Sequence, residues 1–266
     1  MAAIKQITSE TICKILDWKS VISAVEEAMV NVSEKRAVQN VRSVTQIPKT
    51  DNILFAMPGY VNTDKSTALG CKLVTLFPSN AQKNLPSILA NILLFNENTG
   101  ALEVIMDGTE ITAWRTAAAS VVATKYIRDV NSQNKTLAII GAGTQAKIHA
   151  IAFQQQFKFV KVHVWNRTHE KAEMLCKELQ CQSTLHGTIE EYIPFQNVEE
   201  CVKEADVIVT TTSATTPLIH HKWVKPGVHI NGKLWTKSSK NNNRTNSDKN
   251  HKLDLITKLG NSYFSK

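Results

Sequence analysis

The sequence predicts an α/β protein in which an α+β region precedes a Rossmann-type parallel sheet domain, and three observations carry that reading. Residues Thr136–Ile140 form an apolar run that passes straight into Gly141-Ala142-Gly143-Thr144-Gln145-Ala146, a G-x-G-x-x-A turn. Beyond it, strand-like and helix-like segments alternate, as they do when a parallel sheet is covered on both faces. Before it, β-like runs follow one another and contain no second turn of this kind.

In chain order, Ile12, Ile15 and Leu16 make one short helical stripe, and Val21, Ala24, Val25, Ala28, Met29 and Val32 a second, with Asp17 placed to cap it. Strands are expected near Val41–Ile47, Ile53–Met57, Leu69–Leu76, Ile88–Phe95 and Leu102–Met106, while Met57-Pro58-Gly59-Tyr60 reads as a turn. Thr109–Ile127 is an alanine-rich helix with small residues suited to close packing. The polar 128–135 segment marks a boundary, giving a first domain over 1–130 and a second over 131–231. Within the second, helices are expected at Thr144–Gln156, Thr168–Leu179 and Val198–Ala205. Its strands are expected at Thr136–Ile140, Val160–Trp165, Val207–Thr211 and Val228–Asn231, with a weak one near Ser183–Leu185. Residues 232–266 are too polar to pack and are expected to be disordered apart from a short Leu253, Ile256, Leu259 stripe.

Composition bounds the function. No apolar run approaches the ~18 residues of a membrane span, and the first residues lack the apolar core of a secretion signal, so a cytoplasmic chain with no membrane partner is expected. The five cysteines contain no C-x-x-C pair and read as free thiols. The net charge of +8 is concentrated at the end: residues 232–266 hold eight Lys/Arg against two Asp/Glu, and the rest 23 against 21. A basic tail without interleaved aromatics argues against nucleic acid.

The glycines define a cofactor class. Gly141 permits a tight turn off the strand, Gly143 lets the backbone approach a pyrophosphate, and Ala146 keeps the next helix close to the strand. Ala142, Thr144 and Gln145 complete the loop. At the end of the following strand an NAD site places a carboxylate for the ribose 2′-hydroxyl; here the residues are Asn166-Arg167-Thr168. An arginine without an acid implies NADP(H), with Arg167 clamping the 2′-phosphate. The alternative is a helix-capping Asn166 or Thr168 beside a solvated Arg167.

A second group is cationic: Arg42, Lys72 within Gly70-Cys71-Lys72-Leu73-Val74-Thr75, and Arg115 within Trp114-Arg115-Thr116-Ala117-Ala118. Charges among apolar neighbours are costly unless they meet an anion, so a carboxylate-bearing substrate is implied, although each alone could be a snorkelling side chain. His220-His221 reads as a solvated pair with no third metal ligand, and His149 as a core or interface histidine.

These stretches, together with Met106-Asp107-Gly108, Ala205-Asp206-Val207-Ile208 and Trp223-Val224-Lys225-Pro226-Gly227 leading to His229-Ile230-Asn231, resemble the ornithine cyclodeaminase/mu-crystallin family over about residues 10 to 231. The resemblance implies a homodimer in which a dimerisation and substrate domain precedes the Rossmann domain. It also implies NADPH-dependent hydride transfer to the C=N carbon of a cyclic imino acid. Carried onto this chain, Arg42, Lys72 and Arg115 surround the substrate carboxylate, with Lys72 the catalytic candidate. Arg115 and Thr116 lie near the cofactor phosphates, Asn166, Arg167 and Thr168 hold the 2′-phosphate, and Thr212 and Ser213 border the adenine or pyrophosphate path. The proton source for the ring nitrogen is unassigned.

The chain departs from the family pattern in two places. Ile88 stands where a histidine often follows Pro-Ser, and the polar tail replaces further Rossmann elements, a loop with the cyclodeaminase aspartate and a return segment, so an incomplete Rossmann domain is expected. Two alternatives stay open: a non-catalytic binder of NADPH or a hormone-like small ligand, and an NAD-linked cyclodeaminase or amino-acid dehydrogenase.

Overall fold

The computed structural model describes residues 3–63, 66–127, 136–183, 191–212, 214 and 216–232. The chain divides into two compact units, Met1–Ala119 and Ser120–Lys266. The division falls inside a helix, ahead of the polar 128–135 segment, which lies outside the described residues, as do 233–266 of the tail.

In the first unit, β1 (Lys5–Ile7) leads into α1 (Ser9–Ile15) and α2 (Trp18–Ser33). Asp17 caps α2 as the sequence indicates, its carboxylate accepting from the Ser20 N–H at 2.9 Å, and hydrogen bonding from the Ser20 side chain and then its backbone holds the carboxyl below its ordinary pKa. The buried face of α2 is turned slightly from the apolar stripe: Ile22 and Asn31 lie deepest, while Ala24 and Ala28 face solvent. Asn31 is half satisfied there: its Nδ2 donates to the Glu27 carbonyl at 2.9 Å, while its Oδ1 is buried without a partner among the described residues.

Six further strands follow: β2 (Ala37–Gln39), β3 (Ser43–Gln46), β4 (Ile53–Asn62), β5 (Thr67–Leu76), β6 (Ile88–Phe95) and β7 (Leu102–Asp107). They build a sheet of order β1-β7-β6-β5-β4-β2, with β3 also on β4, antiparallel except where β1 meets β7. Met57–Tyr60 is not a turn. It lies within β4, and Pro58 is accommodated where the outer neighbour of β4 changes from β3, paired to Ala56, to β2, paired from Gly59.

The register places Ile53, Leu76 and Ile88 in one row of a sheet face, Phe55, Val74 and Ala90 in the next, and Met57, Lys72 and Ile92 in a third. The middle row is buried and the first packs around it. Ile88, in the position where the family often has histidine, belongs to this apolar cluster. The chain then enters α3 (Thr109–Ile127) through Gly108, where a Cβ would sit 2.9 Å from Ile92 Cγ1. Within this unit the rings of Trp18 and Trp114 stack at 4.1 Å between centroids and 10° between planes.

The second unit alternates β8 (Thr136–Ile140), α4 (Thr144–Gln156), β9 (Lys161–Trp165), α5 (His169–Ser183), β10 (Glu191–Phe195), α6 (Val198–Lys203), β11 (Val207–Thr210) and β12 (His229–Gly232). All its strand pairs are parallel, in the order β10-β9-β8-β11-β12. Leu137–Ile140, Val162, Val164, Val207 and Ile208 are fully buried, as expected where helices cover both faces. The third strand is β10; Ser183 ends α5, and 184–185 of the expected weak strand lie outside the described residues.

Two buried polar anchors fix this sheet. Asp206 accepts from the Thr136 N–H at 2.9 Å and pairs with Lys225 at 2.6 Å, tying the start of β8 to the chain before β12. His149 is a core residue: Nδ1 donates to the Gln145 carbonyl at 2.7 Å, leaving Nε2 to accept from Ser120 Oγ at 3.2 Å.

Candidate functional sites

Because β8, β9 and β11 are parallel, the loops that follow them leave the same edge of the sheet. Strand order reverses between β8 and β11, the position where open α/β sheets bind ligands. The two glycines of the turn there have different reasons. Gly141 has φ of +121°, and a Cβ on it would lie 2.6 Å from Thr211 Oγ1, so backbone and packing both exclude a side chain. Gly143 has an ordinary φ of −98°, and a Cβ on it would meet nothing within 4 Å. It is the N-cap of α4 and offers no side-chain cap, so the first-turn N–H groups keep the donor capacity of a helix start.

Ala146 is fully buried and holds α4 down, Ala142 is half-buried and Thr144 exposed. Gln145 Oε1 is shielded from solvent and has no hydrogen-bond partner among the described residues. Open approach at Gly143 and uncapped backbone donors fit a dinucleotide phosphate. Thr211, which sets the Gly141 constraint, escapes sequence reading because the two are brought together only by the β8–β11 pairing.

After β9, Asn166 Nδ2 donates to the Thr168 carbonyl at 2.8 Å and braces the turn, while Arg167 and Thr168 are exposed at its tip. No carboxylate occupies these three positions. After β11, Thr212 Oγ1 accepts from the Ala214 N–H at 3.4 Å; Ser213 lies outside the described residues.

The first unit brings the cations together. Lys72 stands in the row between Met57 and Ile92, and Met106 continues the row on β7. Burial in this apolar setting, and then the charges of Arg115 and Arg42, lower its pKa to about 7. Burial and Arg42 likewise lower that of Arg115, whose Nε is buried without a hydrogen-bond partner among the described residues. Arg42 is exposed, its guanidinium 5.9 Å from the centroid of Phe55. Thr116 spends its hydroxyl on the Thr112 carbonyl at 2.7 Å. Among the described residues no ion pair neutralises Lys72 or Arg115, so the cluster is one that an anion would stabilise.

Other candidates take structural places. His163 is buried with Nδ1 3.1 Å from the Cys201 carbonyl, and His220 lies edge-on to Trp223 at 4.4 Å. Cys13 and Cys181 are exposed; burial pushes the Cys176 thiol up to about 12 and that of Cys201 higher still. Among the described residues no group of three or more His, Cys, Asp and Glu could hold a metal ion, and no helix is long and apolar enough to cross a membrane.

The family model of the ornithine cyclodeaminase/mu-crystallin family matches residues 3–241. The chain belongs to that family. It is 40% identical over 213 residues to rat ketimine reductase mu-crystallin, covering 79% of this chain and 64% of the relative. It thus spans just under two thirds of that relative's length. Among solved structures, a Thermococcus litoralis Δ1-pyrroline-2-carboxylate reductase in complex with NADH and L-proline aligns with a TM-score of 0.80 at 32% identity, covering 87% of this chain and 69% of that one. An archaeal alanine dehydrogenase dimer with bound NAD aligns with a TM-score of 0.75 at 27% identity, covering 85% and 66%. The first relative is thus named a ketimine reductase and the two solved structures hold a nicotinamide cofactor, and the Rossmann-type architecture is shared with those structures.

Proposed function

We propose that this family member reduces the C=N bond of small cyclic ketimine carboxylates with NADPH. The observation that carries the reading is the cluster of half-buried Lys72 and Arg115 with exposed Arg42, in which no ion pair neutralises Lys72 or Arg115 among the described residues. Such a cluster takes a substrate by its carboxylate and, by withdrawing electron density, favours hydride arrival at the adjacent imine carbon. Lys72 is the catalytic candidate, because an amine with a pKa near 7 exchanges its proton at neutral pH.

Gly141, Ala142, Gly143, Thr144, Gln145 and Ala146 would receive the dinucleotide pyrophosphate, and when bound the cofactor supplies the hydride. The exposed Arg167, braced by Asn166 and with no acid beside it, supports NADPH over NADH. Thr212 adds a neutral donor in this reading, whereas the Thr116 hydroxyl is already committed to the Thr112 carbonyl. The dimeric alanine dehydrogenase relative supports a homodimer.

The test is turnover by the full chain with NADPH and piperideine-2-carboxylate or pyrroline-2-carboxylate, read as loss of the reduced-nicotinamide absorbance band. A raised melting temperature with NADPH but no turnover would make the chain a binding protein instead. Arg167→Ala should cost about tenfold to 100-fold in NADPH affinity and leave NADH unchanged; an unaltered preference would remove the 2′-phosphate assignment.

A further inference from the structure

The cation cluster has a consequence for the charge it carries before and after a ligand arrives. Arg42 and Arg115 stay protonated across the working pH range because guanidinium is so weak an acid. Lys72 is different: it is an amine held on β5 between Met57 and Ile92, and the charged groups acting on it from neighbouring elements are Arg115 on α3 and Arg42 just before β3, both cations. We infer that capture of a carboxylate by this cluster draws a proton from solvent onto Lys72, so that at pH 8 the site rests close to its two fixed charges and is loaded with three. The inference rests on the reading of the cluster as a carboxylate site.

The physical cause is the order of the opposing influences. Burial and two like charges disfavour the ammonium, bringing the amine to half-protonation near pH 7. A carboxylate placed among the three groups reverses the sign of the local potential at Lys72 and favours the ammonium again. Below about pH 6, Lys72 is already charged and binding takes up little. Above about pH 8 it is mostly neutral, binding takes up nearly one proton, and affinity falls about tenfold per pH unit until the amine of the loaded site itself begins to deprotonate.

The experiment is calorimetry of the full chain with pyrrole-2-carboxylate, a planar carboxylate with no titration of its own in this range, at pH 8 in two buffers of low and high ionisation enthalpy. The wild-type protein should show a buffer-dependent heat equal to uptake of close to one proton, falling towards zero at pH 6. Lys72→Arg, which fixes the third charge, should bind with no proton uptake and with affinity independent of pH between 6 and 8.5; Lys72→Met should also lose the uptake, with affinity at least about tenfold weaker at pH 6. Tight binding by wild type with a buffer-independent heat at pH 8, or the same uptake in Lys72→Arg, overturns the linkage while leaving the carboxylate site intact. Absence of binding at every pH overturns the carboxylate reading itself.

Discussion

In Ser120–Lys266 the groups suited to a phosphate are backbone N–H groups at the start of α4, whereas in Met1–Ala119 the groups suited to a carboxylate are Lys72 on the sheet and the two arginines that act on it. The difference lies in what the empty state costs. Backbone dipoles at a helix start are present whether or not a ligand comes, and the strands behind them, β8 and most of β11, are buried, with the start of β8 tied by Asp206. Side-chain charges drawn together among Met57, Ile92 and Phe55 repel one another until an anion arrives, so that site trades stability for attraction.

The sharpest way to break the comparison is at the two glycines. Gly141→Val should cost about 3 kcal/mol or more of stability in a denaturant melt, because it combines a left-handed φ with a clash against Thr211. Gly143→Ala should leave the same melt within about 0.5 kcal/mol of wild type and weaken dinucleotide binding, because the added methyl enters space that only a ligand would fill. Equal destabilisation by both would mean that the turn is a folding device alone.

Next in size is Arg115→Met. The KM for an imino-acid substrate should rise about 30-fold or more through the lost charge-assisted bonds, while the melting temperature stays level or rises as a buried uncompensated charge is removed. A fall in stability without a change in KM would place Arg115 among the structural cations.

The last comparison concerns pH. Lys72 has a folded pKa of about 7 against about 10.4 in the unfolded chain, so between these values the unfolded state binds the extra proton and stability rises with pH. The penalty is complete below about pH 7. Lys72→Met should therefore melt above wild type at pH 6 to 7, with the advantage shrinking as pH approaches 10. A constant difference across that range would show that the amine is not perturbed.

The parts legible in the sequence were those written in local pattern. The β8 run and its G-x-G-x-x-A turn announce themselves within eleven contiguous residues, and a lysine inside an apolar strand marks itself. What escaped was decided by neighbours. β1 and β2 are three residues each, too short for alternation to show, and β10 carries Pro194, which reads as a strand breaker until its edge position is known. Pro58-Gly59 reads as a turn for the same reason, and only the handover from β3 to β2 makes it a strand. At the site, Arg42, Lys72 and Arg115 could be named one by one, but their proximity is tertiary: the register of β4, β5 and β6 sets Lys72 one row from Phe55, and Arg42 lies against that ring.

The stacked pair Trp18 and Trp114 gives the first unit an optical label of its own. Two indoles at 4.1 Å and nearly parallel couple their transitions, so the pair should produce a split circular-dichroism band that neither ring gives alone. Trp114 immediately precedes Arg115 on α3, and the split band is therefore a native reporter on the backbone that holds the guanidinium. Carboxylate capture can then be followed in the unlabelled protein, at a wavelength where a small imino acid is silent.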